Sequence, residues 1–463
     1  MTKYEAGPRT QAILGMQFGD EGKGAVVATY AREADIVVRF NGGGNAGHTL
    51  YTAEGKKVVV NDAPSGVIFP HITNVIGNGS VVNLETLARN IDGLDTKILI
   101  SDAAHLVLPY HSEMDKAREE ARGKKIGTTA KGIGPAYADK ANRIGIRAGL
   151  LKHPQRLEEV LAETLEFKNR ELRSLGSEKQ FSMKEILEWL EPHRQRFAPS
   201  VIDTAEYLQE AIRQRKKIVL EGANGALLDL DHGTYPYVTS STTTIGGVLS
   251  GTGLNHRQIG RVIGVVKAYT SRVGEGPFPT EGEPYENIKQ FKKGERTITD
   301  DEEKLVHEGT GWEKGYDRIV SRWIRESAEE FGATTGRPRR IGWLDLVAAK
   351  KAVQLNGCNY YALTRLDNLD GTFRLKVCTA YKHKETGEKT EIFPSDTEDL
   401  ANYTPVYDII PGWKSTKGMR TFAELPGSAQ WYVNLTSEYL NIPPALLKNG
   451  PQQDDRIEMF KLW

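Results

Sequence analysis

Residues 13–24, ILGMQFGDEGKG, constrain this chain more than any other stretch. A short apolar run, Ala12, Ile13 and Leu14, enters a loop that holds Gly15, Gly19, Gly22 and Gly24, with Asp20, Glu21 and Lys23 between them. The run reads as a buried strand, and the residues after the loop, AVVATYARE, read as a helix. That order lets backbone N–H groups crowd around an anion at a helix N-terminus, because glycine has no Cβ to block the approach. Lys23 adds a positive charge for a phosphate, and Asp20 adds either a base or a hard oxygen ligand for Mg²⁺. The loop is not a Walker A motif, since Gln17 stands at its first glycine position and Gly24 at its metal-binding hydroxyl. A metal must therefore be held another way, and Asp20 is the candidate.

Alone, such a loop is weak evidence, because a tight turn uses the same glycines. A second cluster strengthens it. NGGGNAGHT at 41–49 follows another apolar run, Ile36, Val37 and Val38. Gly47 and His48 sit where nothing structural demands a histidine, although a packing role stays open. Two glycine-rich strand ends so close together point to one phosphate site at the C-terminal edge of an open α/β sheet.

Strand-like runs recur at 12–15, 36–40, 57–60, 74–76, 98–100, 218–220, 262–266, 360–364 and 375–379, and helix-like stretches alternate with several of them. The expected fold is α/β: a large, mainly parallel central sheet with a P-loop-like nucleotide site, flanking helices and inserted subdomains. No linker divides the chain, so residues 1–463 read as a single domain. The charged stretches 154–176 and 182–194 carry leucines at helical spacing and read as amphipathic surface helices. Residues 283–330 are dense in mixed charge and read as a solvated insertion or as a lid, the part WEKGYDRIVSRWIRESAEEFG being helical.

Lys+Arg and Asp+Glu both number 61, so no global field draws nucleic acid or an acidic membrane. The two cysteines, Cys358 and Cys378, fit reduced core thiols in a cytoplasmic protein. The N-terminus has no apolar signal segment, and no run of about 18 apolar residues suggests a membrane span.

Four further stretches carry chemistry. In IGTTAKGIGPAY at 126–137, Thr128 and Thr129 offer hydroxyls to a phosphate beside glycines that also suit an ordinary turn. Arg143 and Arg147 follow, four apart, as a phosphate fork or a solvated pair. In EGANGALLDLDHGTYPYVTSSTTT at 221–244, Asn224 offers a donor and an acceptor for a base edge, and Thr239 is a candidate phosphate ligand. In GATTGRPRRIGWLD at 332–345, Thr334, Thr335, Arg337, Arg339 and Arg340 crowd one glycine-flanked loop suited to a small carboxylate or phosphate. In TRLDNLDG at 364–371, Asp367 can accept from N1–H and the 2-amino group of guanine, and the Arg365 stem can lie on its ring, although Asp367 could instead cap a helix.

With QFGDEGKG, NAGHT, PSG (64–66), IGNG (76–79), VGEGPFPTE (273–281) and NGP (449–451) added in consistent order, the chain resembles the adenylosuccinate synthetase family over about residues 12–451. The resemblance implies GTP-dependent ligation of L-aspartate to IMP through 6-phosphoryl-IMP. Asp20 would be the base and, with the Gly47 carbonyl, would hold Mg²⁺. His48 would act beside the transferring phosphoryl, and Lys23 would hold the γ-phosphate. Asn45, Thr129, Asn224, Thr239 and Arg337 would bind the nucleotide monophosphate, with Arg143 reaching across a homodimer interface. Thr334, Thr335 and Arg337 would meet aspartate. Gly19, Glu21, Gly22, Lys23, Gly24, Thr49, Arg339, Arg365, Asp367 and Gly450 would contact GTP.

Departures from the family pattern are Gly44 for a bulkier polar residue, Asn61 and Asp62 for His and an apolar residue, and Asn224 for the bacterial Gln. Pro338 also interrupts the arginine run, and Arg365 replaces Lys. Viral relatives act on dGMP, so dGMP is an alternative substrate, with Asp62 a candidate acceptor for a 2-amino group. A non-catalytic GTP-binding switch is a second alternative. Neither nucleic acid nor membrane is an expected partner.

Overall fold

The computed structural model describes residues 9–463 apart from 53, 54, 56, 124, 125, 310–314, 333–335 and 462. Among the described residues, eleven strands share one sheet. From one edge, ten run in the order Arg456–Glu458, Pro444–Lys448, Tyr360–Thr364, Arg261–Lys267, Thr10–Gly15, Ile218–Gly225, Ile36–Gly42, Thr73–Val82, Lys97–Ser101 and Val201–Ile202. The eleventh, His105–Leu106, pairs with the far end of Thr73–Val82. Every pairing is parallel except that of the edge strand Arg456–Glu458.

The apolar runs are explained by burial on both faces. Ala12 and Leu14 join one core cluster, while Ile13 joins another on the opposite face. Val38 and Val37 divide in the same way. Successive side chains of a strand alternate sides, so a strand covered on both faces reads as continuously apolar. Helix Lys23–Ala31 packs Val26, Val27, Tyr30 and Ala31 against the second of these faces.

Thr10–Gly15 lies mid-sheet. The chain's next strand, Ile36–Gly42, lies to one side of it, whereas Arg261–Lys267 and Tyr360–Thr364 lie to the other. The glycine-rich loop thus leaves the sheet where strand order diverges, the position at which open α/β sheets form their ligand crevice.

Two expected strands fall outside this sheet. The run at 57–60 pairs antiparallel with His48–Tyr51 as a hairpin. The run at 375–379 belongs to a four-stranded sheet with Leu344–Asp345, Lys389–Thr390 and Tyr403–Pro411. An apolar run declares a strand but not its partner, which long-range pairing decides.

The surface helices form over Pro154–Ser174 and Met183–Phe197. The segment 283–330 is more than a solvated insertion. Its helices include Tyr285–Ile288, Asp300–Glu308 and Tyr316–Ser327, and Val306, Ile319, Val320 and Ile324 enter the main core. Cys358 and Cys378 are free and buried. Among the described residues, no helix is long and apolar enough to cross a membrane.

Candidate active site

One cleft of about 1090 Å³ opens over the C-terminal strand ends, and the glycine-rich loop forms its floor. Helix Lys23–Ala31 begins there with Gly22 in the left-handed region (φ 78°), no side-chain cap and no acid in its first turn. Its first N–H groups are therefore free to meet an anion. Gln17 fastens the loop to the neighbouring strand: its Oε1 accepts from Lys267 N at 2.9 Å and its Nε2 donates to Tyr269 O at 3.2 Å. Glu21 turns underneath. Its carboxylate accepts from Gln17 N (3.0 Å) and Gly19 N (2.9 Å) and pairs with Lys23 Nζ at 2.6 Å. Asp20 instead sits at the tip with φ 58°, open to the cleft, its Oδ2 2.8 Å from Arg339 Nε.

Beside the start of that helix, packed against Gly24, stands His48. Its Nδ1 lies 2.5 Å from Glu221 Oε1 and 3.0 Å from Ser65 Oγ. Ser65 fixes Glu221 in turn, donating N–H at 2.7 Å and O–H at 2.6 Å. Burial pushes the Glu221 carboxyl up, but His48, Arg39 and Ser65 together hold it below the usual carboxylate range. An ionised Glu221 makes Nδ1 the protonated nitrogen and leaves Nε2 to the cleft. Glu221→Gln keeps the shape and loses that control. It is expected to lower kcat about 10–100-fold with little change in KM for either nucleotide, by steady-state kinetics.

The loop before His48 is held from behind by cations. Arg39, 1% exposed, donates to Gly43 O (3.0 Å) and Ala46 O (3.3 Å), and Lys131 Nζ donates to Gly44 O at 2.6 Å. Gly47 lines the same cleft as Asp20, beside Ala46, whereas Gly43 and Gly44 do not line it. A carboxylate and a carbonyl oxygen are hard donors of the kind Mg²⁺ takes with phosphate oxygens and water, so these residues fit that ion.

The next corner gathers Asn45, Thr129, Asn224 and Thr239 on the cleft wall. Asn45 Nδ2 reaches Thr239 Oγ1 at 3.4 Å. Asn224, at φ 62°, and Asn45 each bury an Oδ1 without a protein partner. Such orphans suit a ligand's donors, since leaving them unpaired is costly. Thr128, by contrast, donates to Asp115 at 2.9 Å and serves the loop itself.

Asp62 lies behind this corner, 3% exposed, and does not line the cleft. A Cβ on Gly44 would come within 2.8 Å of its Oδ2, so the smaller residue at 44 makes room for the carboxyl at 62. Burial pushes Asp62 up from 3.8 to about 6 against the fields of Arg39, Lys131 and Arg89. A raised carboxyl binds more protons in the native than in the unfolded chain, so its contribution is present at low pH and lost as pH rises through about 6. Asp62→Asn is therefore expected to stabilise the protein by about 2–3 kcal/mol near pH 7.5 and hardly at all near pH 4, by urea unfolding at both.

The third corner lies beyond Lys23. Thr364 Oγ1 donates to Glu21 O at 2.5 Å, which joins the phosphate loop to Arg365 and Asp367. Burial pushes the Asp367 carboxyl up and Arg365 draws it down. Lys448, which burial lowers to about 8, and Gly450 close this end of the cleft.

A sequence profile of the adenylosuccinate synthetase family matches residues 12–457. The chain belongs to that family. It is a GTP-dependent ligase of purine biosynthesis. The adenylosuccinate synthetase of Wolinella succinogenes is 41% identical over 453 residues, 97% of this chain and 99% of its own. The fully ligated adenylosuccinate synthetase from Plasmodium falciparum superposes with a TM-score of 0.86 at 34% identity, covering 97% of this chain and 99% of that one. The cyanophage S-2L succinoaminodeoxyadenylate synthetase, bound to dGMP and dATP, shares the fold with a TM-score of 0.57 at 17% identity over 99% of this chain and 97% of its own.

Against the adenylosuccinate synthetase pattern, the cleft brings together Gly19, Asp20, Gly22, Lys23 and Gly24 with Gly47, His48 and Thr49. It adds Asn45, Thr129, Asn224, Thr239, Arg339, Arg365, Asp367 and Gly450. The Glu21 side chain faces the loop's own backbone. Arg143, at φ 64°, and Arg337 are exposed and do not line the cleft. Thr334 and Thr335 lie outside the described residues. The sequence reading passed over Glu221, Ser65, Arg39, Lys267 and Glu330. The available signals were charges within buried parallel strands: Arg39 inside the run 36–40, and Glu221 between the apolar run KKIVL and the glycines of GANG.

Proposed function

We propose that this chain joins the amino group of L-aspartate to C6 of IMP, converting GTP to GDP and phosphate and giving adenylosuccinate through 6-phosphoryl-IMP. The observation that carries this reading is that Asp20, on the phosphate loop, and His48, steered by Glu221, line one cleft with three separately built corners. In the first step the Asp20 carboxylate takes the N1 proton of IMP. The 6-oxygen then attacks the γ-phosphorus of GTP, and the bond to the GDP oxygen breaks. Lys23 and the free N–H groups of the helix start bear the phosphate charge, and His48 Nε2 attends the transferring group. In the second step the aspartate amine attacks C6, the C6–O bond breaks as phosphate leaves, and the amine gives up its proton to the departing phosphate or to water, so that N1 stays unprotonated in the product. Asp20 and the Gly47 carbonyl would hold Mg²⁺, which when bound neutralises charge on the phosphates.

Asn45, Thr129, Asn224 and Thr239 bind the monophosphate nucleotide, Arg365 and Asp367 bind guanine, and the loop carrying Thr334, Thr335 and Arg337 binds aspartate. The exposed Arg143 serves the cleft of a second copy in a homodimer. Two free buried thiols support a reducing, cytoplasmic setting. Steady-state rates with IMP and with dGMP, each with aspartate and GTP, test the reading. A strong preference for IMP is the expected result. Preference for dGMP would transfer the same chemistry to that nucleotide. GTP binding without phosphate release on adding IMP and aspartate would leave only a switch.

A further inference from the structure

We infer that Glu330 is a positioning residue that sets the affinity of Asp20 for its divalent cation, acting through Arg339 and balanced by Lys267. This inference rests on the proposed function, in which Asp20 and Gly47 hold that cation. Four charged groups alternate in sign beneath the cleft. Lys267 Nζ is 2.5 Å from Glu330 Oε1, Glu330 Oε2 is 2.6 Å from Arg339 Nη1, and Arg339 Nε is 2.8 Å from Asp20 Oδ2. Of the four, only Asp20 and Arg339 line the cleft, while Lys267 and Glu330 are 1% and 0% exposed.

Glu330 is built into its place. The Tyr269 hydroxyl donates to its Oε1, and Asn368 Nδ2 donates to that hydroxyl at 2.9 Å. Its carbonyl accepts from Arg339 N at 2.9 Å, so residue 330 grips residue 339 by both backbone and side chain. Lys267 Nζ also donates to Ser271 Oγ at 2.7 Å. Lys267 and Arg339 hold the Glu330 carboxyl well below the usual range although burial opposes them.

As a set the four groups are neutral. A divalent cation reaching Asp20 must draw that carboxylate from Arg339, and Glu330 is what keeps the guanidinium satisfied when it does. With Glu330 neutral, Asp20 is the remaining counter-ion of Arg339 among the four, and the cation meets an uncompensated positive charge. With Lys267 neutral, the surplus on Glu330 pulls Arg339 the other way and releases Asp20. Low dielectric around buried groups makes such charge changes felt over several ångströms.

The test titrates Mn²⁺ into protein saturated with GDP and follows free Mn²⁺ by electron paramagnetic resonance. Glu330→Gln is expected to raise the binding midpoint about tenfold and Lys267→Met to lower it about threefold. The double variant, neutral again, is expected to return to within about threefold of the original protein. Single variants that both weaken binding, a double variant worse than either, or an unchanged Glu330→Gln midpoint would overturn the inference. If the unaltered protein binds GDP and Mn²⁺ but does not ligate aspartate, the proposed function fails while this inference stands. If it binds no Mn²⁺ beside GDP, both fall.

Discussion

Replacing Asp20 with asparagine is expected to lower kcat about 10³–10⁴-fold while the dissociation constant for GDP changes far less. Asparagine keeps the volume of the side chain and accommodates the left-handed backbone at φ 58°, so the loop has no steric reason to move. It cannot take a proton from N1 of a 6-oxopurine, whose oxygen then stays a poor nucleophile. It is also a weaker ligand for a hard cation. Single-turnover measurement of GDP formation, with IMP and without aspartate, isolates the first step. The loss should appear there in full. A variant that forms GDP at the original rate in that measurement would remove Asp20 from the role of base.

The second large effect is expected from a residue that touches no substrate. A Cβ on Gly225 would lie 2.2 Å from Gln17 O, 2.3 Å from Glu21 Oε1 and 2.6 Å from Gly19 N. Two of these atoms are backbone of the phosphate loop, and the third is the carboxylate that holds the loop's amides and Lys23. No side-chain rotation relieves the overlap, so the loop itself must shift. Gly225→Ala is expected to lower kcat/KM for GTP at least about 100-fold, because displacement of about 1 Å at a positioned site costs that much. Stability should fall by about 1–3 kcal/mol, the usual scale of overpacking. Denaturant unfolding beside kinetics separates the two. A loss of stability with unchanged kcat/KM would show that the loop tolerates the shift.

Much of the fold was legible because parallel strands buried on both faces write themselves as uninterrupted apolar runs. Ala12–Leu14 and Ile36–Val38 are of this kind. The phosphate loop was legible for a similar reason, since its glycines and Lys23 are local to one stretch. Glu221 was not. Its work depends on His48, 173 positions earlier in the chain, and on a register that sets Glu221 beside Arg39 of the neighbouring strand. Lys267, Glu330 and Arg339 form one cluster only because Arg261–Lys267 ends beside the phosphate loop and the helix Tyr316–Ser327 returns the chain above it. The partner strands of 57–60 and 375–379 were hidden likewise. Composition marks what a residue can do, whereas sheet order decides which distant residue it does it with.

Gly24 closes against His48: a Cβ there would sit 2.9 Å from the imidazole's Cβ and 3.1 Å from its Cγ. A serine there, one of the two changes that separate this loop from an ordinary ATPase or GTPase signature, would therefore press into the His48 side chain. The residue that carries the magnesium-binding hydroxyl in those enzymes and the His48 side chain here compete for the same space. On this backbone a side chain at 24 and an imidazole at 48 are alternatives, and accepting the first would mean moving the second.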